Sequence, residues 1–149
     1  MIVVSLIANV ALLVALETGV ATPAPAPKAE ILGLWKGAST CTKVEGNEFC
    51  HDETIVYNFV DVPDKPTTVA LKAARIVDGT TRRTFNLYFT YRPDPGDWTC
   101  EFDRDTSRGL WTYVVAGDGL TGTAMLLPER KVVRNVTAKR TTKDQVLAP

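Results

Sequence analysis

After Glu30 no stretch repeats its apolar residues at a helical period for as long as three turns. Short runs rich in Val, Thr, Tyr, Phe and Trp recur instead, spaced roughly 12 to 15 residues apart. They centre on LWKGASTC, ETIVYNFVDV, TTVALKAARIV, TRRTFNLYFTY, DWTCEF, LWTYVV, LTGTAMLL and KVVRNVTAKR, which predicts about eight strands. Between them stand PDKP, VDGTT, RPDPGD, AGDG and PERK, all built from residues that favour turns. AGDGLTG is the clearest hairpin, with Asp118-Gly119 suited to positive φ.

Several runs alternate, as a sheet with one buried face requires. Phe85, Leu87, Phe89 and Tyr91 share one face, with Thr84, Asn86, Tyr88 and Thr90 opposite. Trp98, Cys100 and Phe102 oppose Thr99, Glu101 and Asp103. Ile55, Tyr57 and Phe59 oppose Val56, Asn58 and Val60, a weaker contrast. In the last run Val132, Arg134, Val136, Ala138 and Arg140 fall together, with Val133, Asn135, Thr137 and Lys139 on the other side.

Connections this short favour antiparallel neighbours, because a parallel return needs a long crossover. Eight such strands can close on themselves, which removes exposed edges. The expected fold is an all-β, eight-stranded antiparallel up-and-down barrel. A small β-sandwich is the alternative.

The chain ends read differently. Residues 2–16 are a nearly unbroken apolar run followed by Gly19-Val20-Ala21, so 1–21 is read as a secretory signal peptide, with an uncleaved N-terminal anchor as the competing reading. Residues 22–30, TPAPAPKAE, form a Pro/Ala-rich linker. The barrel domain is expected over 31–140, and 141–149 as a disordered tail. The expected location is secreted or periplasmic, with no stable membrane span once the signal is cleaved.

The chain carries 17 basic and 17 acidic residues. That balance argues against a nucleic-acid binder, which needs clustered Lys and Arg to neutralise phosphates. Three cysteines in an exported chain suggest one disulfide and one free thiol. A Cys41–Cys50 bridge would staple the first connection and contribute about 2.5–3 kcal/mol by loop entropy. Cys100 then packs on the core face. His51, the single histidine, lies in Cys-His-Asp-Glu beside Asp52 and Glu53. Adjacent strand residues point in opposite directions, so the stretch is read as a solvated loop, not a metal site. No phosphate loop, metal-ligand spacing or nucleophile elbow is present. No cofactor, metal or catalytic residue is expected, and the protein is read as non-enzymatic. Asn135-Val136-Thr137 matches a glycosylation sequon in mid-strand.

Gly33-Leu34-Trp35 opens the first run, and Arg140 closes the last. In a closed barrel those strands are neighbours, and the guanidinium can stack on the indole. With this pair the chain resembles the lipocalin and calycin barrels, whose hallmark is Gly-x-Trp on the first strand and an Arg at the end of the final one. Avidin-type barrels also begin with Gly-x-Trp. The chain is shorter than a typical lipocalin and lacks a Thr-Asp-Tyr motif. It is also similar in layout to a family of small secreted bacterial proteins of unknown function. Gly33, Trp35 and Arg140 are accordingly the structural signature.

The resemblance implies a cavity for a ligand. In small lipid-binding barrels an interior arginine on the last strand receives a carboxylate, and Arg134 fits that role by position. Tyr57, Tyr91, Tyr113 and Ser39 are the polar residues expected to complete an anchor for a small hydrophobic or acidic amphiphilic ligand. A register with Val133 inward and Arg134 in water, or an internal pair between Arg134 and an acid, would remove that role. Bulky inward Trp98, Trp111, Phe85 and Phe89 could instead fill the barrel. The chain would then be an interaction or structural module of the cell envelope, with outward Val56 and Val60 marking the contact.

Overall fold

The computed structural model describes residues 27–104 and 107–144. The expected signal segment, most of the linker and residues 145–149 lie outside them. One helical turn, α1 (Lys28–Ile31), leads into eight strands: β1 (Gly33–Cys41), β2 (Glu53–Asp61), β3 (Thr68–Val77), β4 (Thr80–Arg92), β5 (Asp97–Arg104), β6 (Ser107–Ala116), β7 (Gly119–Leu127) and β8 (Lys131–Thr142). Each strand pairs antiparallel with the next, and β8 returns to β1, so the sheet closes as an up-and-down barrel. Two boundaries differ from the expected ones. Lys28–Ile31 is helical where a linker was expected through residue 30, and β8 continues past residue 140.

Turn chemistry fixes the hairpins. Asp78 and Gly79 both take positive φ, 50° and 73°, the conformation that matches a two-residue turn to the twist of its strands. The β6–β7 hairpin is present, but its positive φ falls on Gly117, at 59°. The expected Asp118-Gly119 does not supply it, because Gly119 already begins β7.

The alternation holds through most of the wall. Ile55, Tyr57 and Phe59 are buried, as are Phe89, Trp98, Cys100, Val136 and Ala138. Two bulges break it near one rim. On β8 the partner of Ala124 is Arg134 and that of Met125 is Val132, so Val133 is the extra residue. A bulge turns successive side chains to the same side. Val133 therefore packs against the core beside inward Arg134, and it is Val133, not the expected Val132, that faces inward. On β4 the extra residue is Thr84, between Phe85 opposite Ala73 and Arg83 opposite Ala74. Thr84 borders the interior there instead of lying strictly outside.

The core is uneven along the barrel axis. Ile31, Trp35, Phe59, Phe89, Trp98, Tyr113 and Leu120 are all but inaccessible and fill the end nearest α1. Edge-on contacts tie Phe59 to Phe89 at 6.1 Å and to Tyr113 at 5.8 Å between centroids, the favoured geometry for aromatic pairs. The other end is hollow.

Candidate functional site

The filled end explains the signature residues. Gly33 has φ of 110°, and a Cβ there would lie 2.2 Å from the Thr142 carbonyl, so no side chain fits where β1 meets β8. Trp35 is fully buried, and its Nε1 donates to the Ile31 carbonyl at 2.8 Å. The Arg140 guanidinium stands over the indole, 4.1 Å from the ring centroid. Its nitrogens donate to the carbonyls of Leu32 (2.7 Å), Gly117 (3.3 Å) and Glu30, and to Asp118 Oδ1 (3.0 Å). This end is a structural seal.

The hollow end holds the candidate site. A cavity of about 890 Å³ opens between the β1–β2, β3–β4 and β7–β8 connections, within the range that holds small-molecule ligands. Phe85, Leu87, Phe102, Trp111, Ala124 and Val133 give it apolar walls; Ser39, Tyr57, Glu53, Arg75 and Arg134 are among its polar groups, and Arg83 and Asp103 also border it. Trp111 stacks on Tyr113 at 5.9 Å and lies 6.1 Å from Phe85, which carries the aromatic floor up one wall.

Arg134 points into this space with its side chain only 20% exposed. Its Nη1 donates to Ser39 Oγ at 3.0 Å and reaches Glu53 Oε2 at 3.5 Å, and Nη2 donates to the His51 carbonyl at 3.1 Å. Ser39 and Glu53 are cross-strand partners, which brings both beside the arginine. Glu53 also accepts from Arg75 Nη1 at 2.8 Å. Two guanidinium groups thus share one carboxylate, leaving a partly desolvated corner with positive charge in excess of what Glu53 neutralises.

Of the expected polar residues, Arg134, Ser39 and Tyr57 line this cavity. Tyr113 lies below the floor, fully buried. Its Oη approaches Tyr57 without reaching hydrogen-bond geometry and has no partner among the described residues. Tyr91 is at the sealed end, packed on Trp98 at 5.2 Å, too far down the barrel to join the others. Burial pushes the Tyr57 hydroxyl up to about 12, against a lowering effect of the neighbouring Tyr113 hydroxyl; Glu53 raises it and Arg134 lowers it further.

Glu53 and Arg75 escaped the sequence reading. Glu53 opens the second predicted run and begins β2 as expected, but it faces inward instead of being solvated with His51. Extending the face of Ile55 and Tyr57 back by one step of two finds it. Extending Val69, Leu71 and Ala73 forward does the same for Arg75. His51 and Asp52 are exposed, and Asp52 Oδ1 accepts from the Cys41 amide at 2.7 Å.

Cys41 and Cys50 form the expected disulfide and close a loop that lies over the cavity mouth. Phe49 on that loop is 94% exposed. Cys100 is a free, buried thiol whose pKa burial pushes up, so it stays protonated at neutral pH. Val56 and Val60, the outward residues of interest, are partly covered. Among the described residues the exposed large apolar side chains are Phe49, Ile76, Tyr88 and Val114. A second concavity, of about 360 Å³, lies outside the barrel against Thr112, Val114, Thr121 and Asn135. It has no charged or aromatic group to orient a ligand, and the lumen is the better candidate. Among the described residues no helix is long and apolar enough to cross a membrane. Comparison with protein-family models, curated proteins and solved structures gives no match.

Proposed function

We propose that this protein is an exported, non-enzymatic, lipocalin-like carrier whose lumen holds a small amphipathic molecule bearing an acid group. The observation that carries the reading is the convergence of Arg134, Ser39 and Tyr57 in one half-apolar cavity of about 890 Å³. A lumen of about 300 Å³ or more is what a ligand requires, whereas a barrel filled by its own side chains would leave none. The Cys41–Cys50 disulfide and the apolar run at 2–16 support an oxidising location outside the cytoplasm.

The apolar walls take the body of the ligand, and the acid meets the Arg134 fork. Glu53 is the competitor that acid must meet, because it already occupies one side of the guanidinium. Tyr57 stays neutral and offers its O–H as a donor. None of these steps requires bond making or breaking.

Native mass spectrometry of protein purified from its own export route tests this reading. An adduct released on activation and carrying an acid group supports it. A bare mass, unchanged after incubation with a fatty-acid mixture, overturns it. Arg134→Leu supplies the residue-level check. Loss of one charge-assisted hydrogen bond, about 1.5–3 kcal/mol, should weaken fatty-acid binding about tenfold or more and leave a fatty alcohol of equal length unaffected. Unchanged acid binding would remove Arg134 from the anchor.

A further inference from the structure

The ladders hold the barrel shut along every line but one. β3 and β4 pair from Thr68 opposite Thr90 up to Val77 opposite Thr80. β5 and β6 pair from Trp98 opposite Tyr113 up to Arg104 opposite Ser107. Between β4 and β5, pairing covers only Thr90–Thr99, Tyr91–Trp98 and Arg92–Asp97, all near the sealed end. Above Thr90 and Thr99 the strands continue as 80–89 and 100–104, with no ladder between them among the described residues. The wall has a seam there, and it opens on the cavity.

The seam has apolar jambs. Phe85 and Leu87 from β4 and Phe102 from β5 line the cavity and are half-buried. The Phe102 ring lies over Gly109 of β6, where a Cβ would come within 2.2 Å of Cζ. It therefore leans towards β6, away from β4, while lower down the Cys100 thiol lies within reach of the Tyr88 backbone, so the seam proper begins above that level. Tyr88, 66% exposed, stands on the outer lip.

The mouth at the end of the barrel is fastened by comparison. The β1–β2 loop over it is held by the disulfide. Asn47 Nδ2 donates to the Thr42 and Val133 carbonyls, both at 2.9 Å, and Lys131 Nζ donates to the Glu45 carbonyl at 2.7 Å. Strand addition from another chain is disfavoured along the outer part of the seam, where Arg82, Arg83 and the bulge at Thr84 blunt the edge. An alkyl chain needs no backbone partners and meets no such obstacle. The anchor residues Ser39 and Arg134 lie on β1 and β8, half the strand order away from β4 and β5.

We propose that the ligand is a single-chain amphiphile that enters sideways through the β4–β5 seam, its acid crossing the lumen to Arg134 and its apolar chain resting between Phe85, Leu87 and Phe102. This rests on the carrier reading above, and it adds the route and the single-chain form.

The test locks the seam. Continuing the β4–β5 register sets Tyr88 opposite Glu101, both on the outer face, so Tyr88→Cys with Glu101→Cys in a Cys100→Ser background can be oxidised across the gap. Stopped-flow fluorescence with 11-(dansylamino)undecanoic acid then compares the bridged protein with the Tyr88→Cys, Cys100→Ser parent. Association is expected to slow about tenfold or more in the bridged form. If mass analysis shows that the bridge does not form, Leu87→Trp, which plugs the seam from the lumen side, serves the same comparison. Equal rates in locked and open forms overturn the seam as the route. Absence of dye binding by the open parent is a different result: it overturns the carrier reading, and the route falls with it.

Discussion

Trp35 is held by three kinds of contact at once: burial among Ile31 and its neighbours, an indole hydrogen bond to the Ile31 carbonyl, and the Arg140 guanidinium above its ring. Truncating so large a buried side chain leaves a cavity that the closed wall cannot collapse, and Trp35→Ala is expected to lose about 3–5 kcal/mol in urea unfolding. An unchanged midpoint would refute the sealing role. Arg140 separates into a strong and a weak part. Its side chain is 6% exposed and is satisfied by three carbonyls, while its acidic partner Asp118 is 81% exposed. An ion pair to so exposed a carboxylate contributes little, at most about 1 kcal/mol. Asp118→Asn should therefore leave stability nearly unchanged, whereas Arg140→Lys, which cannot reproduce the planar fork, should lose about 1–3 kcal/mol. The same urea titration reads both variants, and equal losses would place the energy in the ion pair instead of the carbonyls.

Among the elements, the β1–β2 loop depends most on a covalent link. Its disulfide closes a sequence separation of 9, for which loop entropy gives about 2.5–3 kcal/mol. Cys41→Ser with Cys50→Ser should show that loss in urea unfolding; retention of full stability would mean that Asn47 and Lys131 hold the loop without help. Strand order and wall alternation were legible in the sequence because each depends on local spacing: short turns impose antiparallel neighbours, and a period of two sorts the faces. Height along the barrel was not legible. Phe85 and Tyr91 share a face, yet Phe85 lines the cavity and Tyr91 packs at the sealed end. Alternation assigns in and out but carries no information about level, which is set by strand tilt and stagger. Bulges hide for a related reason. Nothing in VVRN marks Val133 as the extra residue, since the extra residue is defined by β7 across the ladder. Glu53 was within reach of alternation and was lost because a charged side chain next to His51 and Asp52 resembles a loop.

At the scale of the whole molecule, a sealed aromatic half supports a hollow half, and the Tyr57 hydroxyl lies at their boundary. Burial raises its pKa from the ordinary 10.0 to about 12 and moves the Tyr113 hydroxyl beneath it in the same direction. For an acid the raised value means that the fold favours the neutral form. The Tyr57 contribution is therefore complete below pH 10 and drains away as the pH rises from about 10 to about 12. Two pKa units correspond to about 2–3 kcal/mol. Unfolding free energies from guanidinium titrations followed from pH 9 to 12 should fall by that amount more in the native chain than in Tyr57→Phe, which shares the background from lysine titration. Tyr113→Phe isolates the lower hydroxyl. Because that oxygen is buried without a partner, its removal at pH 7 should be neutral or stabilising by about 1 kcal/mol. Identical pH profiles for the native chain and Tyr57→Phe would mean that the Tyr57 phenolate forms without penalty, and so that water reaches the floor of the lumen. A dry floor is what an apolar ligand needs, so the alkaline limb of the stability curve also reports on the solvation of the binding cavity.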